Sequence, residues 1–336
     1  MGGHVLWLTP DKPANISVGR RRIAECLEAR GFDVTLRGTT PRTLLASVRE
    51  RDRYDVVVGT TRSGALAGAL LRLLGRPLVV DHVDPIRQFE ATHPRWLSLP
   101  VRVLEACAFR LSTHTLYVYE EEEHRARRHA PAATKADLGV SYERFADPDP
   151  AAVERARERL ADAGVAPDDR VAVYVGGLEP LYRIEELLAA ARYLDGWTLL
   201  VLGAGSLEPA VARAAREREN VVFLGTVPHE DVPGYLHRAE VGVCLVDDPH
   251  TLKVLEYGAA GLSVVQARGR AEARFGEHVT FCDPTPTGVA GGIREAGARR
   301  RDADHGPEAF REYVAGFDYD RVAGRYTEVL RTVLGE

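Results

Sequence analysis

Lys253 and Glu256 stand three residues apart in the stretch TLKVLEYGAAGLSVV, residues 251–265. On a helix that spacing puts the two side chains one turn apart on one face. Thr251 is a residue type that caps a helix N-terminus, and the residues after it carry amides with no partner inside the helix. Open amides at Lys253, Val254 and Leu255 suit a phosphate, and the lysine adds a formal charge. Glu256 can accept two hydrogen bonds from a diol. Ala259, Ala260 and Gly261 let such a helix lie close to a sheet. Lysine is scarce in this chain: Lys12, Lys135 and Lys253 stand among 44 basic residues, so position 253 is conspicuous. The pattern points to a phosphate group and a diol. A lysine and a glutamate on an ordinary solvent-facing helix is the alternative reading of the same residues.

Other chemistries are poorly served. Cys26, Cys107, Cys244 and Cys282 are far apart and form no CxxC, which argues against zinc ribbons and dithiol exchange. GAGSLE (203–208) begins like a dinucleotide fingerprint but has Glu208 at the third glycine position. A Walker lysine loop, GxSxG and HExxH are absent from the sequence. Asp-x-Asp occurs at 147/149, 302/304 and 318/320, never just after an apolar strand, so these read as linker and surface acids. A net charge of −5 gives no reason to expect nucleic acid. With 45% hydrophobic and 28% charged residues the chain reads as a soluble folded protein. No run approaches the ~18 apolar residues of a spanning helix, and MGGHVLWLTP is not a leader, so the cytoplasm is the expected compartment. Glu120 to Glu123 read as a solvated first helical turn. Arg20-Arg21-Arg22 and Arg125 to Arg128 read as solvated faces or as basic patches for a peripheral contact with anionic lipid.

Two runs of strand–helix alternation must position these residues. HVLWLTP, FDVTLRG, YDVVVGTT, RPLVVDH and the short THTLYVY are strands of the first, with intervening helices, among them 17–30 capped by Ser17 and another capped by Thr40. Residues 139–169, with DPDP and AAVERARERLADAG, read as the connection. RVAVYVGG, WTLLVLGAG, NVVFLGTV, EVGVCLV and LSVVQA are strands of the second run, and 307–334 is helical again. Apolar residues at 322, 326, 329 and 330 have helical spacing there. Both runs predict a parallel sheet with helices on both faces, so ligands belong beyond the C-terminal strand ends. In the second run those ends carry Gly176-Gly177, Gly203-Ala204-Gly205, Gly225-Thr226-Val227 and Asp247-Asp248.

DDPHTLKVLEYGAAGLSVV resembles the nucleotide-sugar site of retaining GT-B glycosyltransferases of the GT4 type (glycosyltransferase group 1). VYVGGLEPLYRIEELLAAARYL, LLVLGAGSLEPAV and VVFLGTVPHEDVPGYLHRAEVGVCLV are similar to the units before it, and LGVSYERF (138–145) to the family's linker. The resemblance extends over nearly the whole chain. It implies two Rossmann-like doubly wound domains facing each other across a cleft: 1–150 on the acceptor side, 151–315 binding the nucleotide sugar, and a helix 316–336 packing back on the first. It implies that Glu256 binds the ribose hydroxyls, that the amides of Val254 and Leu255 bind the diphosphate with Lys253 beside it, and that Asp248 touches the donor sugar. Gly203 and Val227 would lie near the base, His82 would face the reacting sugar, and the loop Ser17 to Gly19 would approach phosphate or acceptor. Two departures from the family pattern stand out. Asp248 replaces the usual first glutamate. In place of an Arg-x4-Lys pair the chain offers only Arg183, with Glu179 near the other position. The implied activity is metal-independent, retaining transfer of a sugar from a nucleoside-diphosphate sugar to a glycan or lipid-linked acceptor. No cofactor beyond that donor substrate is implied. A non-catalytic relative serving as partner subunit and a nucleotide-sugar epimerase on the same fold are the competing readings.

Overall fold

The computed structural model describes residues 2–10, 18–300 and 306–336. The chain divides into two units, Met1–Gly139 with Tyr319–Glu336, and Val140–Asp318. Ser17, Asp302 and Asp304 lie outside the described residues.

The first unit holds strands β1 (His4–Thr9), β2 (Asp33–Gly38), β3 (Val56–Thr60), β4 (Leu78–His82), β5 (His114–Tyr117) and β6 (Ala133–Lys135). They form one parallel sheet in the order β2-β1-β3-β4-β5-β6. The inner strands are unbroken apolar runs because both faces of a parallel sheet are covered by helices. Trp7, Ile23, Leu27 and Val58 pack on one face, and Leu8, Val57, Leu71 and Phe109 on the other. The helix Tyr319–Leu334 belongs to this unit and adds Val322, Tyr326, Val329 and Leu330 to the first of these cores.

The second unit holds β7 (Arg170–Val175), β8 (Trp197–Leu202), β9 (Val221–Gly225), β10 (Val241–Cys244), β11 (Ser263–Ala267) and β12 (Thr280–Cys282). Its parallel sheet runs β12-β11-β10-β7-β8-β9, the Rossmann order, with the direction of winding reversing between β7 and β10. The first unit reverses between β1 and β3 and has the flavodoxin-like order. Both are doubly wound, as expected, but the two sheets are not copies of one topology.

Residues 139–169, read as a connection, belong almost wholly to the second unit. The helix Pro150–Asp162 packs there against Val232–Arg238, because Ala152, Ala156 and Leu160 form a buried stripe. Local chemistry sets several helix starts. Thr40, Asp149 and Thr285 each accept a first-turn amide with a proline next in sequence, whose missing N–H costs nothing there. Three of the Asp-x-Asp acids have clear partners: Asp149 caps, Asp318 accepts the Tyr142 amide at 3.1 Å, and Asp320 pairs with Arg30 at 2.8 Å.

Candidate functional site

The winding reversal of the second unit places the loops after β7 and β10 side by side, and the helix Leu252–Ala259 follows the second loop. Val254 and Leu255 are buried in the core and anchor the helix. The hydroxyl of buried Tyr257 accepts the Val175 amide at 2.9 Å, tying the helix to the end of β7. Lys253 is thereby carried over the glycine turn. Gly176 has φ +145°, a conformation that favours glycine, and a Cβ there would stand 2.4 Å from Lys253 Cε and push the lysine from its place. The ammonium donates to the Tyr174 hydroxyl at 3.0 Å and sits 3.9 Å from the Tyr182 ring centroid. Tyr174 donates in turn to the Gly177 carbonyl at 2.6 Å. Burial lowers the Lys253 pKa, opposed by Cys244 and Glu256. Lys253 makes no salt bridge among the described residues; aromatic faces and one hydroxyl hold the charge.

One turn on, burial raises the Glu256 pKa, against the pull of Lys253 and Arg144. Among the described residues no hydrogen bond reaches its carboxylate, which leaves both oxygens available to a ligand. Thr251 occupies the N-cap position but its side chain makes no capping bond. The cap expected from the sequence is therefore corrected: the first turn of the helix has no side-chain cap.

The neighbouring loops are locked together. Gly203 has φ +138°, and a Cβ there would stand 1.8 Å from the Gly176 carbonyl oxygen. Its amide donates to the Gly225 carbonyl at 2.8 Å. Val227, half-buried, packs on the core next to this seam. Glu179 is a staple: it accepts the Ser206 amide at 3.0 Å and the Ser206 hydroxyl, joining the loops after β7 and β8. Arg183 has a left-handed backbone (φ 54°) and its half-exposed guanidinium pairs with Glu186 at 3.2 Å, so the structure does not join it to Lys253. Asp248 accepts the His250 amide at 2.9 Å. Gln266 Nε2 donates to the carbonyls of Val246 and Asp248, each at 3.1 Å, and so fixes that loop from below. Tyr174, Tyr182, Gln266 and Arg144 escaped the sequence reading. For Tyr174 and Gln266 the only signal was a lone polar or aromatic side chain in an apolar strand, as in VAVYV and SVVQA.

In the first unit His82 ends β4, fully buried. Its Nε2 lies 3.1 Å from Glu122 Oε2 and 3.2 Å from Arg125 Nη2, and its ring meets Phe109 edge-on at 5.0 Å. Glu122 also accepts the Ile86 amide at 2.8 Å, and Arg125 reaches buried Glu105 at 2.5 Å. This corrects two expectations. Glu122 is not part of a solvated turn, and Arg125 is not on a solvated face; each is held by partners far away in sequence. Arg20 is likewise buried, 2.8 Å from Asp81. Gly19 stands on the helix Val18–Ala29 beside Tyr319, whose hydroxyl would lie 3.2 Å from a Cβ at that position.

Burial raises the Glu122 pKa, but His82, Arg125 and the Ile86 amide outweigh it and bring the value down to about 2. An acid with a depressed folded pKa stabilises above its unfolded value, near 4.3, and that contribution is lost as pH falls through the folded one. Wild-type stability is therefore expected to fall by about 3 kcal/mol between roughly pH 4.3 and 2 through this group. Urea midpoints against pH should show Glu122→Gln less stable at neutrality and flatter over that window. An unchanged acid limb in the variant would remove Glu122 from the account.

Residues 169–296 match the family of glycosyl transferases group 1. The second unit carries a glycosyl transferases group 1 domain. Lys253, Glu256, Asp248 and the glycine loops fall inside the matched residues, and His82 and Gly19 outside. No curated protein sequence matches the chain. Solved structures do. HepE of Anabaena in complex with UDP-glucose is 17% identical with a TM-score of 0.72, over 98% of this chain and 100% of that one. Sucrose-phosphate synthase from Thermosynechococcus elongatus is 17% identical with a TM-score of 0.77, over 99% of each. The catalytic domain of Starch Synthase IV from Arabidopsis thaliana, bound to ADP and acarbose, is 9% identical with a TM-score of 0.72, over 100% of each. At these identities the likeness is one of fold. The two parallel sheets with interleaved helices are those of GT-B glycosyltransferases, and the glycosyl transferases group 1 domain is the second of them.

Proposed function

We propose that the chain is a GT4-type retaining glycosyltransferase, acting in the cytoplasm and without a bound metal. It would move a sugar from a nucleoside-diphosphate sugar to a hydroxyl of a glycan or lipid-linked acceptor. The observation that carries this reading is Lys253: a partly desolvated ammonium, held over Gly176 at the winding reversal, one turn ahead of the carboxylate of Glu256. Two charged groups so placed match the two ends of a ribosyl diphosphate. The UDP-glucose and ADP bound by HepE and Starch Synthase IV make UDP and ADP the first probes.

In the reaction the bond between the anomeric carbon and the diphosphate oxygen breaks as the acceptor oxygen bonds to that carbon on the same face. The acceptor proton passes to the leaving phosphate. Negative charge grows on the diphosphate, where Lys253 and the open amides of its helix stabilise it. Because both partners of the proton transfer belong to substrates, no carboxylate nucleophile is assigned. Asp248 would contact the donor sugar. Arg183 would exchange Glu186 for the diphosphate, a swap its half-exposed position permits.

Glu256 supplies the direct test. A carboxylate on a ribose diol makes charge-assisted hydrogen bonds of roughly 1.5–3 kcal/mol each. Counting the net loss of one such bond, Glu256→Ala is expected to weaken UDP or ADP binding by about 10- to 150-fold in calorimetry, at ~1.4 kcal/mol per decade. The unfolding midpoint should hold or rise, since an acid whose pKa burial raises is not a stabilising one. Wild-type affinity in the variant would place the nucleotide elsewhere.

A further inference from the structure

Most large apolar side chains exposed on the described residues fall on two helices of the first unit, Thr61–Leu73 and Arg95–Leu111. These helices pack against each other and against β4. On the first, Leu66, Leu70 and Leu73 repeat at helical spacing; on the second, Trp96, Leu99 and Val103 do the same. Trp96 is 73% exposed and Leu99 and Leu73 are each 69% exposed. The inward faces of the same helices, with Leu71 and Phe109, already fill the core, so the outer stripes are surplus to folding.

The exposed charge on the two helices has one sign. Thr61–Leu73 contains no acidic residue, and the one acid of Arg95–Leu111, Glu105, is buried. Arg72 and Arg110 are exposed on these helices and form no ion pair among the described residues. Beside the second helix a cavity of about 570 Å³ is lined by Arg102, Arg125, Arg128 and His129 and also by Glu90, Glu121 and Glu122, which pair with Arg102, Arg87 and Arg125. Arg128 is also exposed and without an ion pair among the described residues. His129 reports this field: burial first, then Arg110, Arg128 and Arg125, hold its pKa below the usual value.

We propose that this face docks on the surface of an anionic phospholipid bilayer, with Trp96, Leu99 and Val103 entering the interface and Arg110 and Arg128 meeting headgroup phosphates. An apolar helical stripe bordered by arginine is the arrangement that lies in a membrane interface. A second copy of the chain fits less well, since a twofold contact would bring two arginine-bordered faces together. The inference does not depend on the donor chemistry proposed above.

The full chain carries its own reporter. Trp7 and Trp197 are buried, so a change in tryptophan emission on binding reports Trp96. With phosphatidylglycerol vesicles the protein should float with the vesicles and its emission should shift to the blue; with phosphatidylcholine vesicles it should do neither. The double variant Trp96→Ser/Leu99→Ser should lose about tenfold or more in vesicle affinity at an unchanged unfolding midpoint. Arg110→Glu and Arg128→Glu should each lose about fivefold or more, and salt should weaken the wild type. UDP affinity measured without vesicles should be equal in all of them, which separates this face from the nucleotide site. Absence of binding to phosphatidylglycerol, or binding that the double variant retains in full, overturns the proposal. So does a wild-type dimer that the double variant converts to monomer, because the stripe would then be covered by a second copy.

Discussion

Lys253→Ala is expected to lower turnover by about 10²–10³-fold, the usual cost of removing one preorganised group from a developing charge. Affinity for free nucleoside diphosphate should fall much less, because the charge the lysine answers is largest as the bond to the sugar breaks. Lys253→Arg should not restore the rate. The ammonium is a compact charge donated to the Tyr174 hydroxyl beside the Tyr182 ring, and a planar fork does not put its charge at the same point. Burial lowers the lysine's pKa, so the alkaline limb of the wild-type rate profile should set in below the ordinary lysine value of about 10.4. Bound diphosphate would move it back up. Single-turnover rates, KM and product affinity for the two variants decide the matter. Turnover of Lys253→Ala within threefold of wild type would take the ammonium away from the leaving group.

Asp81→Ala is expected to cost about 3–5 kcal/mol of stability, because it leaves a buried guanidinium without its counter-charge. Asp81 is fully buried and takes Arg20 at 2.8 Å, the Thr60 hydroxyl at 2.7 Å and the Tyr326 hydroxyl at 2.8 Å. Thr60 in turn accepts Trp7 Nε1 at 2.6 Å. One carboxylate thus joins β1, β3, β4, the first helix and the last. Replacing both charges, as Arg20→Met with Asp81→Leu, should be far less damaging than Asp81→Ala, since no bare charge remains. Denaturant midpoints for the single and double variants form the cycle. Additive losses would show that Arg20 and Asp81 do not act as a pair.

Legibility followed the range of the interactions. Strands such as VVVGT and LVVDH announce themselves because a parallel sheet buried on both faces needs continuous apolar runs. Lys253 and Glu256 were visible because both lie on one short helix, where spacing alone fixes their relation. Glu122 was not, because what buries it, His82, stands 40 residues earlier and nothing in EEEE distinguishes the third glutamate. Thr251 misled for a related reason: its residue type suits a cap, but residue type does not fix where the hydroxyl turns. Ala133–Lys135 and Thr280–Cys282 are three residues each, too short for any period to show. The exposed stripe around Trp96 reads in sequence like any apolar helix face. Only the packed neighbours reveal which side the core leaves uncovered.

The division of the chain has a consequence for its birth. Domains generally fold N-terminal first as they emerge from the ribosome, at about 5–20 residues per second. Here the schedule is inverted, because the first unit is completed by Tyr319–Glu336, made after the whole of Val140–Asp318. For roughly ten seconds or more the nascent first sheet lacks Tyr326, which donates to Asp81 and packs on Trp7 with ring centroids 5.7 Å apart. The groove of Ile23, Leu27 and Val58 stays open through that interval. It is the surface a chaperone would hold, and the earlier half of the chain cannot close until the end of the later half has been made.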